Sequence, residues 1–257
     1  MQSLAQSLAH SLAQGWRHWA AHSVSQAWGL APQGVVWSLV GLTRQSPTLV
    51  RVNTSQSMPI PGGHDPDDLS WLSPKLRHNG RLQGGFAHRL NLALTPTYVQ
   101  EGVIVLPASL PEEDWPFEVQ LEVARVFQVA HDAVSFDFEA DAAPHDSVRR
   151  IHWIGCAQVH MAAFKNFTRA AGWRLASVEP EGQAAERGAR ALQGGVASLL
   201  TQAPQDWQFH LKPRGQAHPE GVSSDSEATL LDALGRVLNT PTGARLVASG
   251  AALKAWL

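Results

Sequence analysis

The stretch that most constrains this chain runs from Pro111 to Val178. Pro111-Glu112-Glu113-Asp114 places a proline and three acids where the positive end of a helix dipole favours them, so a helix begins here. Phe117, Leu121, Ala124 and Phe127 supply the expected buried stripe. Val134, Phe136 and Phe138 then alternate with Ser135, Asp137 and Glu139, the period of a strand with one buried face. A polar turn at 140–149 leads to an apolar strand from Ile151 to Ala157, and a helix at 158–171 ends at Gly172. A further strand covers 173–178. The order helix, strand, strand, helix, strand predicts a compact α/β unit with antiparallel neighbours.

The flanks carry weaker signals. Residues 1–28 open with SLAQSLAHSLAQ, and Leu4, Leu8, Leu12, Trp16 and Trp19 form one helical stripe. This segment reads as a helix covering another apolar surface, a terminal extension, or a helix for a partner. Arg17 is the one charge on its polar face, which argues against a membrane-surface helix. Val35 to Leu42 and Leu49, Val50 and Val52 read as a hairpin around Gln45-Ser46-Pro47. Residues 55–68 form a loop, from which Asp67 or Asp68 caps a helix at 69–78 that Gly80 ends. Leu90 to Leu94 and Val99 to Leu106 read as a second strand pair, broken by Thr95-Pro96. Glu179-Pro180-Glu181 opens a helix carrying Ala184, Ala185, Ala189 and Leu192. Residues 201–226 are polar apart from a short strand at 207–211, and helices at 226–238 and 242–257 follow.

Composition excludes several function classes. The 257 residues are 44 % hydrophobic, enough for one large domain or two small ones. Twenty basic against 22 acidic residues give a net charge of −2, which argues against a nucleic-acid binder. A single cysteine, Cys156, rules out an intrachain disulfide framework and a multi-cysteine zinc site, and it reads as a small core residue inside an apolar strand. No apolar run reaches the ~18 residues of a bilayer span, and no basic segment precedes an apolar signal region. The expectation is a soluble protein of a reducing compartment.

The twelve histidines do not make a metal motif: His145, His152 and His160 fall on a loop, a strand and a helix start, and no HExxH or paired CxxC occurs. No GxSxG, Walker loop or GxGxxG is present, and Gly84-Gly85 and Gly194-Gly195 read as turns. Among ten tryptophans, Trp153 and Trp173 are expected to be buried, while Trp115 is a candidate exposed anchor.

The segment EVQLEVARVFQVAHDAVSFDFEAD, within Pro111 to Leu192, resembles the inserted subdomain of the actin-like PilM family of type IV pilus assembly proteins. Glu122 falls on that family's motif glutamate, Val126-Phe127 on its aromatic-apolar pair, and Asp137-Phe138-Glu139 on its strand end. Gln128 replaces the usual proline and Ala133 an acid. Ile154-Gly155-Cys156-Ala157, Ala170-Ala171-Gly172-Trp173 and Glu179-Pro180-Glu181 follow in family order, and Ala248 to Lys254 resembles the terminal helix. The resemblance implies an α/β, actin-like (ribonuclease H-like) first lobe with an inserted α/β subdomain and a reduced second lobe. The implied divisions are a helical extension at 1–31, the first subdomain at 32–110, the insertion at 111–179, and a linker helix with the remnant lobe at 180–257.

The family's first phosphate loop, D-x-G-[ST], would fall on Ser38 to Thr43, where Leu39 stands in place of the aspartate. Residues 200–225 lack the second such loop. These departures argue against ATP binding and hydrolysis, so no cofactor, metal or catalytic residue is expected. The resemblance then implies a non-catalytic cytoplasmic adaptor, peripheral to the inner membrane through its partner. That partner is the N-terminal tail of an inner-membrane PilN-like protein, held as an extended peptide. Glu118, Glu122 and Arg125 on the helix and Phe136 and Phe138 on the strand are the implied contacts. Self-association stays open. The alternatives are the actin-like cytoplasmic part of the type II secretion protein GspL, which would continue into a membrane span, and an ATP-binding actin-like switch.

Overall fold

The computed structural model describes residues 25–63, 68–82, 88–141, 148–211 and 227–256. The expected helix in residues 1–24, the Asp67 cap, Gly84-Gly85, His145 and residues 212–226 of the polar stretch lie outside the described residues. In chain order the elements are β1 (Gln26–Gln33), β2 (Val36–Ser46), β3 (Leu49–Pro59), α1 (Leu72–Leu82), β4 (Arg89–Leu94), β5 (Gln100–Pro107), α2 (Trp115–Phe127), β6 (Val134–Ala140) and β7 (Val148–Ala157). They continue as α3 (Gln158–Ala170), β8 (Arg174–Pro180), α4 (Glu181–Ala191), α5 (Gly195–Thr201), β9 (Gln208–His210), α6 (Glu227–Val237) and α7 (Pro241–Leu253). The chain divides into two compact units, one of residues 1–58 with 184–257 and the other of 59–183.

In the first unit the strands run β1-β2-β3-β9. β1 and β2 form a hairpin in register from Gln26↔Thr43 to Gln33↔Val36, turned at Gly34 with φ +53°. The assignment of residues 25–31 to a helical extension is corrected here: they belong to a buried strand. Ala27 to Ala31 is a short apolar run buried on both faces, and hydrophobic periodicity does not separate such a strand from a helix. Helix α7 packs on β1 and β2 and is buried along most of its length. Gly29 makes that approach possible, because a Cβ there would run into the Ala248 carbonyl oxygen. Gly250 plays the same part where α7 meets Ala184 of α4.

In the second unit β4 and β8 pair in parallel, with α1 and α3 packed against each other. A separate antiparallel sheet has the order β5-β7-β6. The expected pairing of the 90–94 and 99–106 segments is therefore corrected. β4 is buried on both faces, as a parallel strand is, whereas β5 alternates half-buried and exposed residues up to buried Leu106. β5 joins β7 in the small sheet, and β8, grouped with the insertion on sequence grounds, joins β4.

Asp68 caps the turn before α1 by accepting from the Ser70 N–H at 2.9 Å. The helix does not stop at Gly80 but continues to Leu82. Gly80 serves packing instead: a Cβ there would lie 2.8 Å from Trp173 Nε1, and that indole N–H donates to the Leu76 carbonyl at 3.0 Å.

Candidate functional site

The implied partner-binding residues all lie on the α2–β6–β7 layer of the second unit. α2 buries Trp115, Val119 and Val123 against Leu106, Ile151 and Trp153 of the small sheet. Of the expected stripe, Ala124 is buried and Phe127 packs on this core, but Phe117 is 54 % and Leu121 40 % exposed. Both sets repeat every four residues, so spacing identifies the helix without deciding which side is inward. Trp115, a candidate exposed anchor, is a core residue whose indole N–H donates to the Leu110 carbonyl at 3.4 Å. Its large ring makes it the more favourable side chain to bury.

Register places Phe136 opposite Gly155 and Phe138 opposite Trp153, so both phenylalanines share the helix-facing side of the sheet. They are half-buried, pack on the core formed by Val123 and Trp153, and stack with their centroids 6.4 Å apart. Their first contribution is therefore packing. β6 is a terminal strand of its sheet, with β7 as its sheet neighbour. The opposite rim, β5, likewise presents Val103 and Val105 to solvent.

Glu122 and Arg125 form a two-bond ion pair, with Arg125 Nε donating to Oε2 at 2.8 Å and Nη2 to Oε1 at 2.7 Å. The guanidinium hydrogen bond holds the Glu122 carboxyl below the usual carboxylate range and raises Arg125 in turn. Arg125 projects into solvent, whereas Glu118 is half-buried and enters no ion pair among the described residues. The structure thus brings all five residues to one layer, three on the helix and two on the strand beneath it. The spacing of the stripe did not single out Phe117 and Leu121 as exposed.

Cys156 is buried on β7 as expected, and burial pushes its thiol up to about 11. His152 Nε2 lies 2.9 Å from Asp141 Oδ1 on the surface, and His160 packs edge-on to Tyr98 beside Phe164. Among the described residues no group of three or more His, Cys, Asp or Glu side chains is placed to hold a metal. Ser38 to Thr43, where the resemblance set the phosphate loop, are corrected here: they run inside strand β2, the first hairpin turns at Gly34, and Leu39 is a fully buried strand residue opposite Leu30.

No protein-family model matches this sequence, and no curated protein does. Solved structures do match. The PilM–PilN type IV pilus biogenesis complex aligns with a TM-score of 0.53 at 18 % identity, covering 65 % of this chain and 51 % of the other. The cytoplasmic domain of EpsL, an inner-membrane component of the type II secretion system of Vibrio cholerae, aligns with a TM-score of 0.46 at 9 % identity, over 62 % and 59 % of the two chains. This chain therefore matches about half the length of the chain in the pilus complex. No helix among the described residues is long and apolar enough to cross a membrane. The shared architecture is α/β and actin-like, the fold that the motifs at 111–192 resemble and that the pilus complex displays.

Proposed function

We propose that this chain is a non-catalytic adaptor of type IV pilus biogenesis that binds the N-terminal tail of an inner-membrane PilN-like protein. It would work in the cytoplasm, drawn to the inner membrane by that partner, with a second lobe reduced from the actin-like plan. The observation that carries the reading is the fold shared with a structure of PilM and PilN together. The terminal strand β6 supports it, since an extended peptide can add to a sheet edge through main-chain hydrogen bonds. The first hairpin turn supports the non-catalytic part: Ala31-Pro32-Gln33-Gly34-Val35 offers no carboxylate to organise a metal and water.

The test uses the full chain and a synthetic peptide matching the cytoplasmic N-terminus of the PilN-like protein encoded nearest to it. Saturable binding that a scrambled peptide does not compete for is the expected result, and no retention overturns the partner assignment. Titration with a fluorescent ATP analogue and Mg²⁺ tests the other half. Tight saturable binding would turn the reading to an actin-like switch.

A further inference from the structure

The outward side of α2 has a chemistry of its own. Phe117 and Leu121, 54 % and 40 % exposed, stand one helical turn apart and form a single apolar ridge. Glu113 and Asp114 lie exposed in the 3-10 turn that leads into the helix, at the N-terminal end of that ridge, and half-buried Glu118 follows Phe117 on one flank. None of these three carboxylates enters an ion pair among the described residues. The one cation on the helix, Arg125, is held by Glu122. A single exposed leucine needs no explanation, but here an apolar ridge lies beside negative charges that no side-chain cation pairs among the described residues.

That combination selects its occupant by charge. Anionic lipid and nucleic acid are both repelled by the acids beside the ridge. A basic segment without apolar side chains would leave the ridge wet. We propose that the outer face of α2 is a docking surface for a cationic amphipathic segment of a protein partner. Its apolar side chains would cover Phe117 and Leu121, and its lysines or arginines would meet Glu113, Asp114 and Glu118. This surface shares Glu118 with the contacts implied for the tail, but the inference does not depend on the identity of that tail.

The probe is a synthetic amphipathic peptide built of leucine and lysine, titrated into the full chain, with a leucine–glutamate counterpart and phosphatidylserine vesicles alongside. The lysine peptide should bind, weaken with added salt, and protect amides of Trp115 to Arg125 from hydrogen exchange. Phe117→Ser with Leu121→Ser, and separately Glu113→Gln with Asp114→Asn and Glu118→Gln, should each raise Kd about tenfold or more. These positions are on the surface or its margin, and a thermal melt checks that each variant is folded. The glutamate peptide and the vesicles should not bind. Unchanged affinity in either folded variant, protection elsewhere on the chain, or comparable capture by the vesicles overturns the proposal. Failure of the PilN-like peptide with success here would reject the tail assignment alone.

Discussion

Val123 of α2 closes directly on Gly155 at the centre of β7: a Cβ built on that glycine would lie 2.5 Å from Val123 Cγ1. The absent side chain sets how near the helix comes to the small sheet. It therefore also sets how deeply Trp115, Val119 and Val123 are buried and how far Phe117 and Leu121 stand out.

Gly155→Ala should accordingly destabilise the protein by about 1–3 kcal/mol, the usual cost of overpacking. That figure is net of the smaller gain from stiffening the unfolded chain. Adding Val123→Ala should restore part of the loss by making room. Urea unfolding of the single and double variants measures both, and additive losses would show that the two residues do not share one contact.

Gly29→Ala should be worse tolerated. The obstacle there is the Ala248 carbonyl of α7, main chain rather than a side chain that can turn aside. The expected outcome is a cost at or beyond the upper end of the overpacking range, about 3 kcal/mol, seen as a fall in Tm or loss of soluble protein. A variant as stable as the parent would contradict the packing of β1 beneath α7.

Leu39→Asp tests how firmly the middle of β2 is held in the core. The position is fully buried opposite Leu30, so a carboxylate there would be stripped of water with no partner in place. Circular dichroism should report unfolding or a large drop in Tm. A folded, stable variant would mean that β2 can present this position to solvent.

Cys156 should behave as an inert thiol. With its pKa pushed up to about 11 by burial, it holds its proton at pH 8, and alkylation should wait for opening of the chain. The sign of the pH dependence follows. The folded state keeps the proton above the unfolded thiol's pKa of about 8.5, so this contribution is complete below that value. It is lost as pH rises towards about 11. Cys156→Ser should flatten that part of the stability profile. Fast iodoacetamide labelling of the native protein at pH 8 would show that the thiol is not buried.

Much of the second unit was legible residue by residue. The acidic start at 112–114, the alternation at 134–139 and the Gly172 stop each encode a local backbone choice, and each matches its element. Glu122 and Arg125, expected as partner contacts, instead pair with each other, as residues three apart on a helix can. The α2 face was not legible. The series 115, 119, 123 and the pair 117, 121 have the same period, and the choice between them rests on Gly155 and Trp153 from another strand.

Sequence alone determined which segments curl and which extend, where several of them stop, and that the motifs at 111–192 resemble an actin-like insertion, because these depend on neighbours a few residues away. Tertiary structure decided the rest: β1 as a strand, the exchange of β5 and β8 between sheets, the inward turn of Trp115 and the exposed ridge of Phe117 and Leu121. Those outcomes depend on close approach between distant segments, as at Gly29 with Ala248 and Gly155 with Val123, and local periodicity carries no record of such contacts.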